Sequence, residues 1–160
     1  MSDVLVDRGV TAADDLLVDV SARLGLLQAV RGVVEANIPD GFVVGPRHYA
    51  GMETWIVDPA RAPRTYDGRP PAICAVGERK SYVSLFLMGL YYDPTMNHWL
   101  EAEWAASGCP LRRGRASVQL RDVDDVPFDV VAAAVARLSV DDVVGFFDRF
   151  WAARADRRRP

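Results

Sequence analysis

From Leu16 to Val34 apolar residues return at three- and four-residue steps through Val20, Leu24, Leu27 and Val30. That spacing puts an apolar stripe on one side of a helix. Thr11 with Asp14 three residues on forms a capping-box-like start, Gly25 is a place where the helix could break, and Pro39-Asp40-Gly41 ends it with turn residues. The period then shortens. Phe42-Val43-Val44 and Met52 to Val57 read as strands, the second closed by Asp58-Pro59. Ala60 to Pro71, rich in Pro, Arg and Gly, reads as a loop, and Ala72 to Val76 as a third strand.

A turn at Gly77-Glu78-Arg79 leads into a long fourth strand, Tyr82 to Tyr91. It carries Val83, Leu85 and Leu87 at one parity and Phe86 and Met88 at the other, so it is expected to be covered on both sides. Asp93-Pro94 opens a helix with Met96, Trp99, Leu100, Glu103 and Trp104 on its inner side, and Gly108 stops it. Ala116 to Leu120 alternates, with Ala116, Val118 and Leu120 inward and Ser117 and Gln119 outward. Pro127 starts another helix, with Val130, Val131, Ala134, Val135 and Leu138 apolar. Ser139 with Asp142 caps the last one, whose core side is Val140, Val143, Val144, Phe147, Phe150 and Trp151.

Strands joined by short turns cannot be parallel neighbours, because a parallel crossover takes a dozen residues or more. The expected fold is therefore α+β, two-layered: an antiparallel-dominated sheet of about five strands with helices packed on one face. One domain over residues 11–153 is expected, between an N-terminal tail (1–10) and a basic C-terminal tail (154–160).

Composition narrows the functions. A chain of 160 residues buries roughly 70% of its unfolded surface, enough for one proper core. A net charge of −3 supplies no global field for nucleic acid or anionic membrane. Lys80 is the lone lysine beside eighteen arginines, a bias that reads as genome composition or as selection for bidentate anion contacts. Cys74, inside an apolar run, and Cys109, after a helix end, lack CxxC spacing and suit a reducing cytoplasm. The first residues do not read as a signal peptide, and no apolar run approaches the roughly 20 residues of a membrane span. A cytoplasmic protein, monomeric or weakly dimeric, is expected.

Chemistry-bearing motifs are scarce. No GxSxG, P-loop or GxGxxG occurs, and no serine has a histidine and an acid suggesting a triad. His98 has no partner four residues away to share a metal, and His48, next to Tyr49 and beside a strand, could line a groove. Arg112-Arg113-Gly114-Arg115 reads as a solvated turn or as an anion cradle. Asp124, Asp125 and Asp129 precede or open a helix, where its dipole favours acids. The sharper alternative makes these three a surface for a divalent or ferric ion. Lys80 and Tyr82 are alternate residues at the start of the fourth strand. Were the strand after Arg115 its neighbour, Lys80, Tyr82 and Arg115 would rim one groove, with His48 or Tyr49 across it, fit for a small anion.

Four strings in order resemble the YdhG-like family of small bacterial domains, over roughly residues 20–150. They are Tyr49-Ala50-Gly51-Met52, Lys80-Ser81-Tyr82-Val83-Ser84-Leu85, Leu90-Tyr91-Tyr92-Asp93, and Gly114 to Leu120 followed by Val126-Pro127. The resemblance implies a two-layer architecture like that of secretion chaperones and YjbR-like domains. One member is a frataxin-like iron chaperone, so an iron-handling role is the alternative function implied. This chain departs from the family's Gly-Lys-Ser-Cys-Ile-Arg-Phe string, reading Gly114-Arg115-Ala116-Ser117-Val118-Gln119-Leu120. Residues and resemblance together favour a module that binds a small ligand or a protein partner. Iron handling ranks second and catalysis third, because few positioned titratable groups are available. No cofactor is expected.

Overall fold

The computed structural model describes residues 12–47 and 51–157. The start at Thr11 therefore lies outside the described residues, as do His48 and Tyr49. A long helix α1 (Ala12–Asn37) leads into strands β1 (Phe42–Val44), β2 (Glu53–Val57), β3 (Ala72–Glu78) and β4 (Val83–Leu87). Two helices follow, α2 (Gly89–Tyr92) and α3 (Met96–Ser107), then β5 (Ser117–Leu120), α4 (Phe128–Ala136) and α5 (Val140–Asp156). The sheet runs β1-β2-β3-β4-β5 with every pair antiparallel, the α+β architecture expected from short connections.

Strand pairing sorts the side chains, because directly paired residues share a face. Trp55 and Val57 of β2, Cys74 and Val76 of β3, Val83, Leu85 and Leu87 of β4, and Val118 and Leu120 of β5 form the inner face and belong to the core cluster. α1 and α4 cover it with Leu26, Val30 and Val34 and with Val130, Val131 and Val135. Burying each such side chain contributes roughly 1.5–3 kcal/mol, and this layer holds most of them. Arg23–Glu78 and Arg31–Glu53 pin α1 to the strand ends at 3.1 and 3.0 Å. Such exposed pairs orient the helix more than they stabilise it.

Three expectations need correcting. The fourth strand stops at Leu87, and Gly89–Tyr92 is helical. At Gly89 a Cβ would stand 2.5 Å from Met96 Sδ and 2.8 Å from Leu138, so the chain turns where a residue without side chain lets both approach. An apolar run of ten residues does not by itself distinguish five of strand from four of helix.

The second correction concerns α1, which is unbroken at Gly25. Leu16 and Leu17 are 62% and 68% exposed, and Val20 and Leu24 are exposed as well. Twenty-six residues of helix extend about 39 Å, whereas the seven-residue β3 extends about 23 Å, so the periodic stripe outruns the surface available to cover it. Third, two helices carry residues assigned inward that face out. Glu103 of α3 and Phe150 of α5 are exposed, while Met96, Leu100, Trp104, Val140, Val143 and Phe147 are buried as expected.

Among the caps, the Asp93-Pro94 start is displaced: α3 begins at Met96 with Thr95 at its N-cap, and Asp93 Oδ1 accepts the Thr95 N–H at 2.9 Å, while the other two hold. Ser139 and Asp142 form a complete capping box, and Gly108 ends α3 at φ +74°.

Candidate functional site

The outer face of the sheet is built differently. A register shift opposite Trp55 and Ile56 leaves Ile73 without a partner on β2, because Trp55 pairs with Cys74 and Ile56 with Ala72. This bulge returns Ala72 to the face of Ala75. Thr54, Ile56, Ala72, Ala75, Phe86 and Ser117 then line one surface, half of them small. Small side chains leave space. A cavity of about 610 Å³ lies there, within the range of small-molecule sites.

Its walls come from two further segments. One is the loop between β2 and β3. The Thr65 hydroxyl donates to the Arg69 carbonyl at 2.8 Å, and the Arg69 backbone N–H donates to Asp67 Oδ1 at 3.1 Å. Gly68 completes this tight turn at φ +71°, a conformation that strains other residues. The backbone N–H of Arg69, with the Thr65 hydroxyl assisting, holds the Asp67 carboxyl below its ordinary value. The other segment is α5, which presents Phe146, Phe147 and Phe150. Trp151 Nε1 donates to the Arg64 carbonyl at 2.6 Å, and the Arg64 guanidinium lies 4.6 Å from the Trp151 ring centre. That latch binds loop to helix across 87 residues of sequence. The Tyr92 ring of α2 lies tilted against Phe146 with centres 4.9 Å apart, and its hydroxyl donates to the Ala72 carbonyl.

Three guanidiniums and one carboxylate line the space: Arg69, Arg79, Arg115 and Asp67. Arg79, from the β3–β4 turn, contacts Met52 Sδ. Arg115, two residues ahead of β5, stacks 5.2 Å over the Tyr91 ring. Among the described residues the lining includes no histidine, cysteine or lysine. Hydroxyls, guanidiniums and rings there offer hydrogen bonds, charge and apolar faces for recognition.

Of the residues singled out in the sequence, Arg115 stands on this cavity. Lys80 and Tyr82 do not line it. β4 opens only at Val83, so both belong to the preceding turn, where Lys80 is exposed and the Tyr82 carbonyl accepts the Arg79 N–H. The cation delivered to the cavity from that turn is Arg79, one residue earlier than expected. Asp124 and Asp125 sit in a 3-10 turn in which the Asp122 side chain accepts the Asp124 N–H, and Asp129 lies in the first turn of α4. Among the described residues no three histidine, cysteine or acidic side chains gather to hold a metal ion. Cys74 faces the core, and burial pushes its thiol far above the ordinary range, so it packs as a small hydrophobe.

The sequence reading missed Arg69, Arg79 and the aromatic wall of α5. One signal was present: Ala72, Ala75 and Gly77 form a row of small residues in β3, with Ala75 opposite Phe86 and Gly77 opposite Ser84. Among the described residues no helix is long and apolar enough to cross a membrane. Comparison with protein-family models, with curated proteins and with solved structures found no match in any of the three.

Proposed function

We propose that this chain is a small-ligand-binding module of YdhG-like type, and that the cavity on the outer face of its sheet is the binding site. The observation carrying this reading is the contrast between the two faces. One is filled by α1 and α4, while the other leaves about 610 Å³ open above alanines, a threonine and a serine. Native interiors hold few voids larger than a water molecule, so an open space of this size, walled by rings and a latched loop, supports a site built for an occupant.

The test is a fluorescence titration with N-phenyl-1-naphthylamine, a neutral probe of suitable size. Saturable one-to-one binding is expected for the parent protein. Ala75→Phe, which fills the floor of the cavity, should abolish it while leaving the melting temperature within a few degrees. Equal binding by both proteins, or no saturable binding by the parent, rejects the site.

A further inference from the structure

Resting on that reading, we infer that the ligand is a planar aromatic acid, with its anionic group held at the Arg115 and Arg69 end of the cavity and its ring system lying against the phenyl wall. Three observations converge on this chemistry.

The first is charge. Three guanidiniums against the single carboxylate of Asp67 leave a local balance of +3 − 1 = +2, in a chain whose net charge is −3. Asp67 is moreover engaged by the Arg69 backbone N–H and the Thr65 hydroxyl. Elsewhere Arg23, Arg31, Arg61, Arg113 and Arg137 each sit against a carboxylate of the protein. Among the described residues no carboxylate forms such an ion pair with Arg79 or Arg115, while the Arg69 charge attracts the neighbouring Asp67 carboxylate without a salt bridge. A planar guanidinium without an internal carboxylate suits an incoming one, which it can grip through two parallel hydrogen bonds.

The second is the distribution of rings. Tyr66, Tyr91 and Phe150 are 77%, 43% and 39% exposed, and every one of them lines the cavity. No other aromatic side chain among the described residues is as exposed. Exposed rings gathered about one opening, with Phe86 and Phe146 half-buried behind them, offer faces and edges to a flat apolar body.

The third observation fixes the polarity of the ligand. β3 begins at Ala72 and β5 at Ser117, both at the sheet end where β4 closes, and Arg69 and Arg115 precede those two strand starts. Arg115 already lies over the Tyr91 ring, and Tyr66 shares the loop turn of Arg69. Arg79 belongs to the opposite end of β3, where Met52 Sδ occupies its guanidinium. Cations and exposed rings therefore coincide at one end.

The experiment compares two probes with the same body: neutral N-phenyl-1-naphthylamine and 8-anilinonaphthalene-1-sulfonate, which adds one anionic group. At low ionic strength the sulfonate should bind at least tenfold more tightly, and the advantage should shrink as salt screens the charges. Arg115→Gln should weaken the sulfonate several-fold more than it weakens the neutral probe, so that the gap between the two narrows. Arg79→Gln should weaken the sulfonate less than Arg115→Gln does, because Met52 Sδ already engages its guanidinium at the other end of β3. 2-Naphthoate should displace the sulfonate, and dodecanoate of equal charge should not.

Equal affinities for the two probes in the parent would overturn the anionic assignment while leaving the cavity intact as a neutral site. Loss on Arg79→Gln in place of Arg115→Gln would reverse the orientation and overturn the inference. Displacement by dodecanoate alone would overturn the aromatic part. Failure of both probes to saturate removes the binding-module reading itself, an outcome distinct from all of these.

Discussion

Leu85 and Phe86 are adjacent on β4, yet they belong to different kinds of surface. Leu85 is fully buried between the sheet and its helical layer, whereas Phe86 is half-buried and borders the cavity. Cys74 and Ala75 repeat the contrast on β3, one packed in the core and one forming a cavity floor. A strand apolar on both faces need not be covered alike on both. Here one face is filled by interlocking aliphatic side chains from two helices. The other meets a loop, the tyrosines of α2 and the aromatic edge of α5 around the cavity. The first face carries the fold and the second borders the cavity.

Substitutions on the two faces should separate stability from binding. The largest effect is expected for Leu85→Ala, which opens a hole where nothing can collapse and should cost about 2–5 kcal/mol. Phe86→Ala should cost less, about 1–2 kcal/mol, since its ring is only partly buried and borders the cavity. Chemical denaturation of both variants measures the difference. Equal losses would mean that the outer face is a second core and the cavity only a packing defect.

A middle-sized effect belongs to neither face. The Ser139–Asp142 capping box starts α5, the helix that walls the cavity. Ser139→Ala should cost about 1 kcal/mol. The Ser139 backbone N–H, then its hydroxyl, hold the Asp142 carboxyl below the ordinary value. Its folded pKa is thus lower than the unfolded one of about 3.9, so the charged form stabilises the protein fully above that pH. That contribution is lost as pH falls through the folded value. The stability gap between the parent and Asp142→Asn should therefore be constant near neutrality and close below about pH 4. A gap that widened on acidification would contradict the capping geometry.

The smallest effect tests where the fold ends. Leu17→Ser lies on the projecting half of α1 and should change stability by no more than about 0.5 kcal/mol, against the severe loss expected from the same change at Val30. A large loss at Leu17 would show that the projecting stripe is covered in solution.

The amino-acid pattern determined much of this architecture because its signals act over a few residues. Ser139 reaches Asp142 three positions away, Gly108 stops its own helix, and the period-two rhythm of Ala116, Val118 and Leu120 needs no knowledge of what they pack against. The turn between β3 and β4 forced antiparallel pairing there, whereas the long connection through α2 and α3 left the direction of β5 to the tertiary structure. Tertiary structure decided the rest, because those features relate residues that are distant in the chain. Which half of the α1 stripe is buried depends on how far the sheet extends beneath it. The end of β4 depends on Met96 and Leu138 closing on Gly89. The cavity depends on the unpaired Ile73, which turns Ala72 and Ala75 to one face, and on Trp151 holding the loop through Arg64. The charge at its mouth required strand register to bring the starts of β3 and β5 to the same end of the sheet. Spacing along the sequence picked out Arg115 but paired it with Lys80. Register placed Arg69 at its end of the sheet instead, since side chains meet through space and local periodicity encodes only their nearest neighbours.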